Sequence, residues 1–286
     1  MRLRLLTYTI LMLLLACPFT LQGQTRRALV IGLGEQLDTN WSKINGDKDV
    51  YYVTKMLQKC GYKDINTLVN KQATKSRIVS AFKSLSLRCK AGDVVYIHYS
   101  GHGQQVTDVN GDEDNWDESW IPYDAYLKYC KKDKGEKHLI DDEVYQLLMS
   151  IRNIIGPKGK LLVVVDSCHS GDSSREAPKN TSSKNDSIIF RGALNKFVIP
   201  VEKKTKTRRM PERWLTLSAC KSGQLNQEFV KPQVGRLTYI LYLLMEQGHV
   251  NMEKIEKMML KYPTQRHQTP TLTGEKELYN ISDFLR

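Results

Sequence analysis

The sequence contains no Cys-x-x-Cys, no Gly-x-Gly-x-x-Gly and no internal repeat. The first absence leaves neither a structural zinc site nor a thioredoxin-type redox motif supported. The second argues against a dinucleotide site, because Gly32 and Gly34 are followed by no third glycine at the required place. No Pro/Gly/Ser-rich linker splits the chain, so its 286 residues, 41% hydrophobic, read as one domain with a substantial core. Acids are short as well: 31 Asp and Glu stand against 43 Lys and Arg, a net charge of +12. Yet the densest basic run, residues 203–213 (KKTKTRRMPER), has no interleaved aromatics and belongs to no known binding module. It reads as a solvated loop, and no nucleic-acid partner is expected.

Residues 1–23 open with Arg2 and Arg4, run through the apolar Ile10 to Leu15 and reach small and polar residues by Gly23 and Gln24. That is the layout of a secretory signal, and its apolar run is short for a membrane anchor. The expected protein is therefore exported, as a periplasmic, outer-membrane-associated or secreted chain whose mature domain spans 24–286. Leu14-Leu15-Ala16-Cys17 also resembles a lipoprotein cleavage box, which would put a lipid anchor at Cys17. Leu15 is large for its place and Pro18 follows awkwardly, so cleavage near residue 23 fits better. Loss of Cys17 leaves Cys60, Cys89, Cys130, Cys168 and Cys220, an odd set at irregular spacing. That is no disulfide framework, and at least one thiol stays unpaired within the chain.

Two apolar runs organise what is present. Residues 161–171 (LLVVVDSCHSG) read as a strand buried on both faces that ends in a polar turn carrying Cys168. Residues 93–99 (DVVYIHY) read the same way and end in Ser100, Gly101, His102 and Gly103. Open parallel sheets place their chemistry just beyond such carboxyl ends, so Cys168 and His102 form a candidate thiol and imidazole pair. Around them, residues 27–33 predict a strand. A helix from Asp47 carries Val50, Val53, Leu57 and Cys60 and stops at Gly61. Residues 65–69 predict a short strand, and Thr74 caps a second helix bearing Ile78, Phe82 and Leu85. Residues 108–118 (DVNGDEDNWDE) predict an acidic loop. Asp141 and Asp142 then cap a third helix with Val144, Leu147, Leu148 and Ile151, ended by Gly156 and Pro157. Residues 172–187 read as a polar loop, 214–218 as a strand and 237–245 as an apolar helix. This alternation predicts an α/β fold with a mostly parallel central sheet and helices on both faces.

Three segments in this order, YIHYSGHGQQ around His102, NGDEDNWDESWIPYD from Asn110 and DSCHSG around Cys168, resemble the caspase-like cysteine peptidases and specifically their metacaspase branch. The resemblance spans roughly residues 27–242 and implies a three-layer α/β/α caspase-like fold. It implies Cys168 as nucleophile, His102 as the acid that protonates the leaving amine, and the amides of Gly103 and Cys168 as oxyanion donors. Read alone, Cys168 could equally be a small buried hydrophobe and His102 a satisfied core histidine. His98 and His169 are rival bases, one inside a strand and one beside the thiol.

The resemblance also implies cleavage after Arg or Lys, through a pocket matched by Asp49, Ser100 and Asp166. A buried carboxylate facing a guanidinium makes charge-assisted, bidentate bonds, which suits that specificity. The match at Asp49 is looser, since Asn45 stands where the family has Gly. Asp49 also reads as a first-turn helix acid, and Asp166 as a turn former. A calcium site is implied from Asp117, Asp141, Asp142 and an acid soon after the nucleophile, for which Asp172 is the candidate and Arg175 stands nearer the expected place. Helix capping explains Asp141 and Asp142 as well. An enzyme of this specificity would find candidate self-processing sites at Arg175, Lys179 and Lys184 and in residues 203–213. The expectation is a monomeric cysteine endopeptidase acting on protein or peptide substrates, calcium-activated, with no organic cofactor. A catalytically silent caspase-fold binding protein and a cysteine peptidase of other specificity stay open.

Overall fold

In chain order the described residues form β1 (Arg26–Gly32), α1 (Gly46–Lys59), β2 (Asp64–Val69), α2 (Lys75–Arg88) and β3 (Val94–Ser100). An antiparallel unit of β4 (Gly103–Thr107), β5 (Trp116–Trp120) and β6 (Leu139–Ile140) follows, then α3 (Asp141–Ile155) and β7 (Lys160–Asp166). The remainder holds β8 (Leu215–Ser218), the short pair β9 (Glu228–Phe229) and β10 (Val234–Gly235), α4 (Arg236–Glu246), α5 (Met252–Lys261) and β11 (Thr271–Gly274). This computed structural model describes residues 24–109, 116–168, 189–193, 195–200, 211–262 and 268–286. The leader with Cys17, His169, Asp172, Arg175, Lys179, Lys184, residues 110–115 and the basic residues 203–210 lie outside the described residues.

The branched, apolar runs become one six-stranded sheet in the order β11-β8-β7-β3-β1-β2. Every pairing is parallel except that of β11 with β8 at the edge. Side chains along a strand alternate between faces, which splits the core in two. Ala28, Val30, Tyr96, Leu162 and Val164 pack with α1, α4 and α5, while Leu29, Ile31, Ile97, Val163 and Val165 pack with α2 and α3. Helical spacing supplies the matching faces: Val53, Met56 and Leu57 of α1 on one side, Ile78, Phe82 and Leu85 of α2 on the other, all buried. Each such side chain contributes roughly 1.5–3 kcal/mol by leaving water. The result is the three-layer α/β/α arrangement with a mostly parallel sheet.

The helix ends follow their local chemistry at three of the four predicted places, among them Gly156, which ends α3 at φ +64°. Gly61, at φ +79°, follows α1, and the Thr74 hydroxyl accepts from the Arg77 amide at 3.4 Å to cap α2. Asp141 and Asp142 do not cap α3: the capping position is Ile140, and both acids lie inside the first turn. The reason is that Leu139 and Ile140 pair with Trp120 and Ser119, so the helix springs directly from a strand. Pairing also corrects the acidic loop, since residues 116–118 belong to β5, held against β4 from Gly103↔Trp120 to Thr107↔Trp116. Among the described residues Cys60, Cys89, Cys130 and Cys220 are free thiols, and none of the described helices is long and apolar enough to cross a membrane.

Candidate active site

β3 and β7 lie side by side in parallel, and the last pair of their register is Ser100↔Asp166. His102 and Cys168 therefore each stand two residues beyond a shared pair, at the same end of the sheet. Parity decides what the strand ends present. His98 and Ser100 continue the face of Tyr96, and Asp166 that of Leu162 and Val164, so all three point toward the α1 and α4 side. Asp49, in the first turn of α1, meets them there: the Ser100 hydroxyl donates to Asp49 Oδ2 at 2.7 Å.

Both candidate reacting groups are fully buried. His102 Nε2 lies 2.8 Å from the Ser42 carbonyl, which can only accept, so in the neutral ring Nε2 carries the proton. Among the described residues Nδ1 has no hydrogen-bond partner, so it keeps its lone pair. Trp41 covers the ring, with centroids 4.9 Å apart, and the His102 carbonyl accepts from the Tyr99 hydroxyl at 2.6 Å. Burial lowers the pKa of His102 to about 4, against the opposing pull of the Ser42 bond. The Cys168 thiol donates to the Gln224 carbonyl at 3.0 Å. Hydrogen bonding with Cys168, then burial, pushes the Cys220 thiol well above its ordinary value. Gly103 opens β4 immediately after His102.

Beside this pair lies a pocket of three buried carboxylates around one guanidinium. Arg191 Nη1 lies 2.7 Å from Asp49 Oδ2 and 3.5 Å from Asp166 Oδ1, and its Nε donates to Glu228 Oε1 at 2.8 Å. The amino end of α4 supplies further donors, as its dipole favours. The Thr238 amide and hydroxyl reach Asp166 Oδ2 at 2.8 and 2.7 Å, and the Gly235 amide reaches Asp49 Oδ1 at 2.8 Å. A β-carbon on Gly235 would sit 2.3 Å from Asp166 Oδ2, so the pocket requires glycine there. Burial alone pushes the Asp166 carboxyl up, but Arg191, Asn226 and Thr238 outweigh it and hold Asp166 below the ordinary range. For Asp49 burial wins over Arg191 and raises it to about 6. Asp166 is the firmly charged member of the pair.

The family model for the metacaspase peptidase C14 domain matches residues 26–175, more than half of the chain. The chain belongs to the metacaspase family. It is 32% identical over 158 residues to a metacaspase-1A of Aspergillus oryzae, covering 51% of this chain and 35% of that one. It is 33% identical over 163 residues to metacaspase-1 of Schizosaccharomyces pombe, covering 53% and 35%. The chain thus spans about a third of the length of these curated relatives. A crystal structure of a Geobacter sulfurreducens protein superposes with a TM-score of 0.66 at 24% identity, over 91% of this chain and 98% of that one. Caspase-1 of Spodoptera frugiperda gives 0.57 at 10% identity, over 88% and 86%. Both likenesses are of fold.

Several parts of this metacaspase site have no strong local signal in the sequence. Asn45, the departure from the family pattern, donates its amide and side chain to the two oxygens of Glu228, at 2.7 and 2.5 Å. Glu228, Asn226, Gly235 and Thr238 all come from the stretch after β8, where nothing but an apolar helix was legible. Arg191 does carry a signal, a single cation inside the apolar run IIFRGA. Of the rival bases, His98 is committed to the pocket wall, bonded to Ser100 at 2.9 Å and Tyr96 at 3.2 Å. The metal candidates divide differently. Asp117 is buried in β5, and Asp141 and Asp142 start α3 next to it in the fold. Among the described residues, however, no three metal-binding side chains gather into one site.

Proposed function

We propose that this metacaspase is a cysteine endopeptidase that cleaves after Arg or Lys through Cys168 and His102. The observation that carries the reading is the guanidinium of Arg191 held by Asp49, Asp166 and Glu228 beside Cys168. Three carboxylates around one cation leave the pocket an excess of negative charge, which a basic side chain satisfies and an acidic one does not. In the reaction the Cys168 sulfur attacks the carbonyl carbon of the basic residue, and the Gly103 and Cys168 amides receive the oxyanion. His102 takes the thiol proton at Nδ1, the nitrogen that the Ser42 bond leaves available, and passes it to the departing amine. Water then hydrolyses the thioester.

Calcium enters the proposal as an activator, with Asp117, Asp141, Asp142 and Asp172 as its candidate ligands; no step of the chemistry runs through it, because the described acids do not assemble a complete site. Export of the domain is proposed from the layout of the leader. The test is hydrolysis of fluorogenic peptides ending in Arg, Lys or Asp by wild type and Cys168→Ala. Release after Arg and Lys, absent in the variant, is the expected result. Equal release in both proteins, or none from any peptide with calcium present, overturns the reading.

A further inference from the structure

The guanidinium in the pocket belongs to a segment that lies in the site as an extended peptide. Residues 189–191 run antiparallel to residues 226–228. The Arg191 amide donates to the Asn226 carbonyl at 2.9 Å, the Glu228 amide donates to the Ile189 carbonyl at 3.0 Å, and Phe190 pairs with Gln227. Main-chain pairing of this kind is how a protein captures an extended ligand, leaving alternate side chains to fill pockets. Arg191 fills one.

The next residue meets the candidate nucleophile. A β-carbon on Gly192 would stand 2.8 Å from the Cys168 carbonyl oxygen, 3.0 Å from Cys168 Cβ and 3.3 Å from Sγ, so only glycine approaches so closely. The chain then continues past the candidate oxyanion residue, with the Ala193 amide donating to the Gly103 carbonyl at 3.0 Å. A structural ion pair needs the pocket alone. Here pocket, strand pairing and glycine converge on a single sulfur, in the order a substrate requires.

We propose that residues 189–193 occupy the acceptor cleft as a bound substrate, and that Arg191–Gly192 is the bond this protein cuts in its own chain. The inference rests on the reading of the protein as a peptidase for basic residues, and it names the site, outside the candidates legible in the sequence. The step balances: Sγ bonds to the Arg191 carbonyl carbon as the C–N bond to Gly192 breaks. The thiol proton leaves through His102 on the Gly192 amine, and water releases Arg191 as a carboxylate. His102 and Cys168 are fully buried with this segment in place, and cutting converts the tethered occupant into a chain end that exchanges with external substrate. Peptide hydrolysis therefore shows a lag that ends as this bond is lost.

The experiment is incubation of the purified full chain with calcium, followed by intact mass and sequencing of new amino termini, for wild type, Cys168→Ala, Arg191→Lys and Arg191→Gln. Wild type and Arg191→Lys are expected to yield a fragment beginning at Gly192, with at least a tenfold slower cut in Arg191→Gln and none in Cys168→Ala. The Lys variant keeps the buried positive charge, so a folding failure of the Gln variant leaves the comparison of wild type, Lys and Cys168→Ala decisive. A wild type that hydrolyses Arg-ending peptides from the first second while the 191–192 bond stays intact overturns this inference and spares the proposed function. A protein that cuts neither peptides nor itself overturns the proposed function, and the inference with it.

Discussion

Ser100 faces Asp166 across β3 and β7, and the two candidate reacting residues, His102 and Cys168, each follow two positions later. The strands thus do more than support the site. Their register sets the carboxylate pocket and the reacting pair at one depth, because parallel strands advance together at about 3.3 Å per residue. A slip of one residue would turn Asp166 to the α2 and α3 face and dismantle the pocket.

Removing either reacting group is expected to remove activity by different amounts. Cys168→Ala should abolish peptide hydrolysis, and His102→Ala should lower kcat by roughly 10²–10⁴-fold, the usual worth of a positioned proton carrier. Steady-state kinetics on an Arg-ending fluorogenic peptide measures both. Circular dichroism of the two variants should match that of wild type.

Asp166→Asn tests the pocket. Removing one charge of a buried, hydrogen-bonded pair costs about 2–4 kcal/mol, or roughly 30- to 1000-fold in kcat/KM for Arg substrates. Asp166 accepts from Asn226 and from Thr238 and stays charged, so its loss should exceed that of Ser100→Ala, which removes one hydroxyl donor to Asp49. Equal losses from the two variants would contradict this division.

Acid should destabilise the fold between about pH 6.5 and 4. Burial lowers His98 and His102 to about 4 and His138 to about 3, from an ordinary 6.5. In that window the unfolded chain binds protons that the folded one refuses, so stability rises with pH across it and is lost on acidification. Asp49 works the other way, because its folded carboxyl, raised to about 6, holds a proton between pH 3.8 and 6 that the unfolded one releases. Three imidazoles outweigh one carboxyl. Thermal melts of Cys168→Ala from pH 7 to 4 should show Tm falling, and a flat or rising Tm would refute the assignment.

Calcium dependence has its own readout. Peptide hydrolysis should fall at least tenfold in chelator and return on adding calcium, and Asp117→Asn should require more calcium for the same rate. Unchanged rates in chelator would remove the ion from the proposal.

Local pattern alone determined the central strands, the helices between them and the two polar turns that carry His102 and Cys168. Branched apolar runs bury both strand faces, and a three-to-four-residue apolar spacing makes a helix face, wherever in a fold they fall. The same locality explains the misses. Asp141 and Asp142 look like caps to a reader of neighbours, and residues 116–118 look like loop until β4 arrives to pair with them. Only the tertiary structure decided what fills the pocket. Arg191 lies 142 residues from Asp49 and 37 from Glu228, and no periodicity links positions so far apart. Their meeting follows from how the chain returns over the carboxyl end of the sheet, where three buried carboxylates need a cation and a strand edge needs a partner.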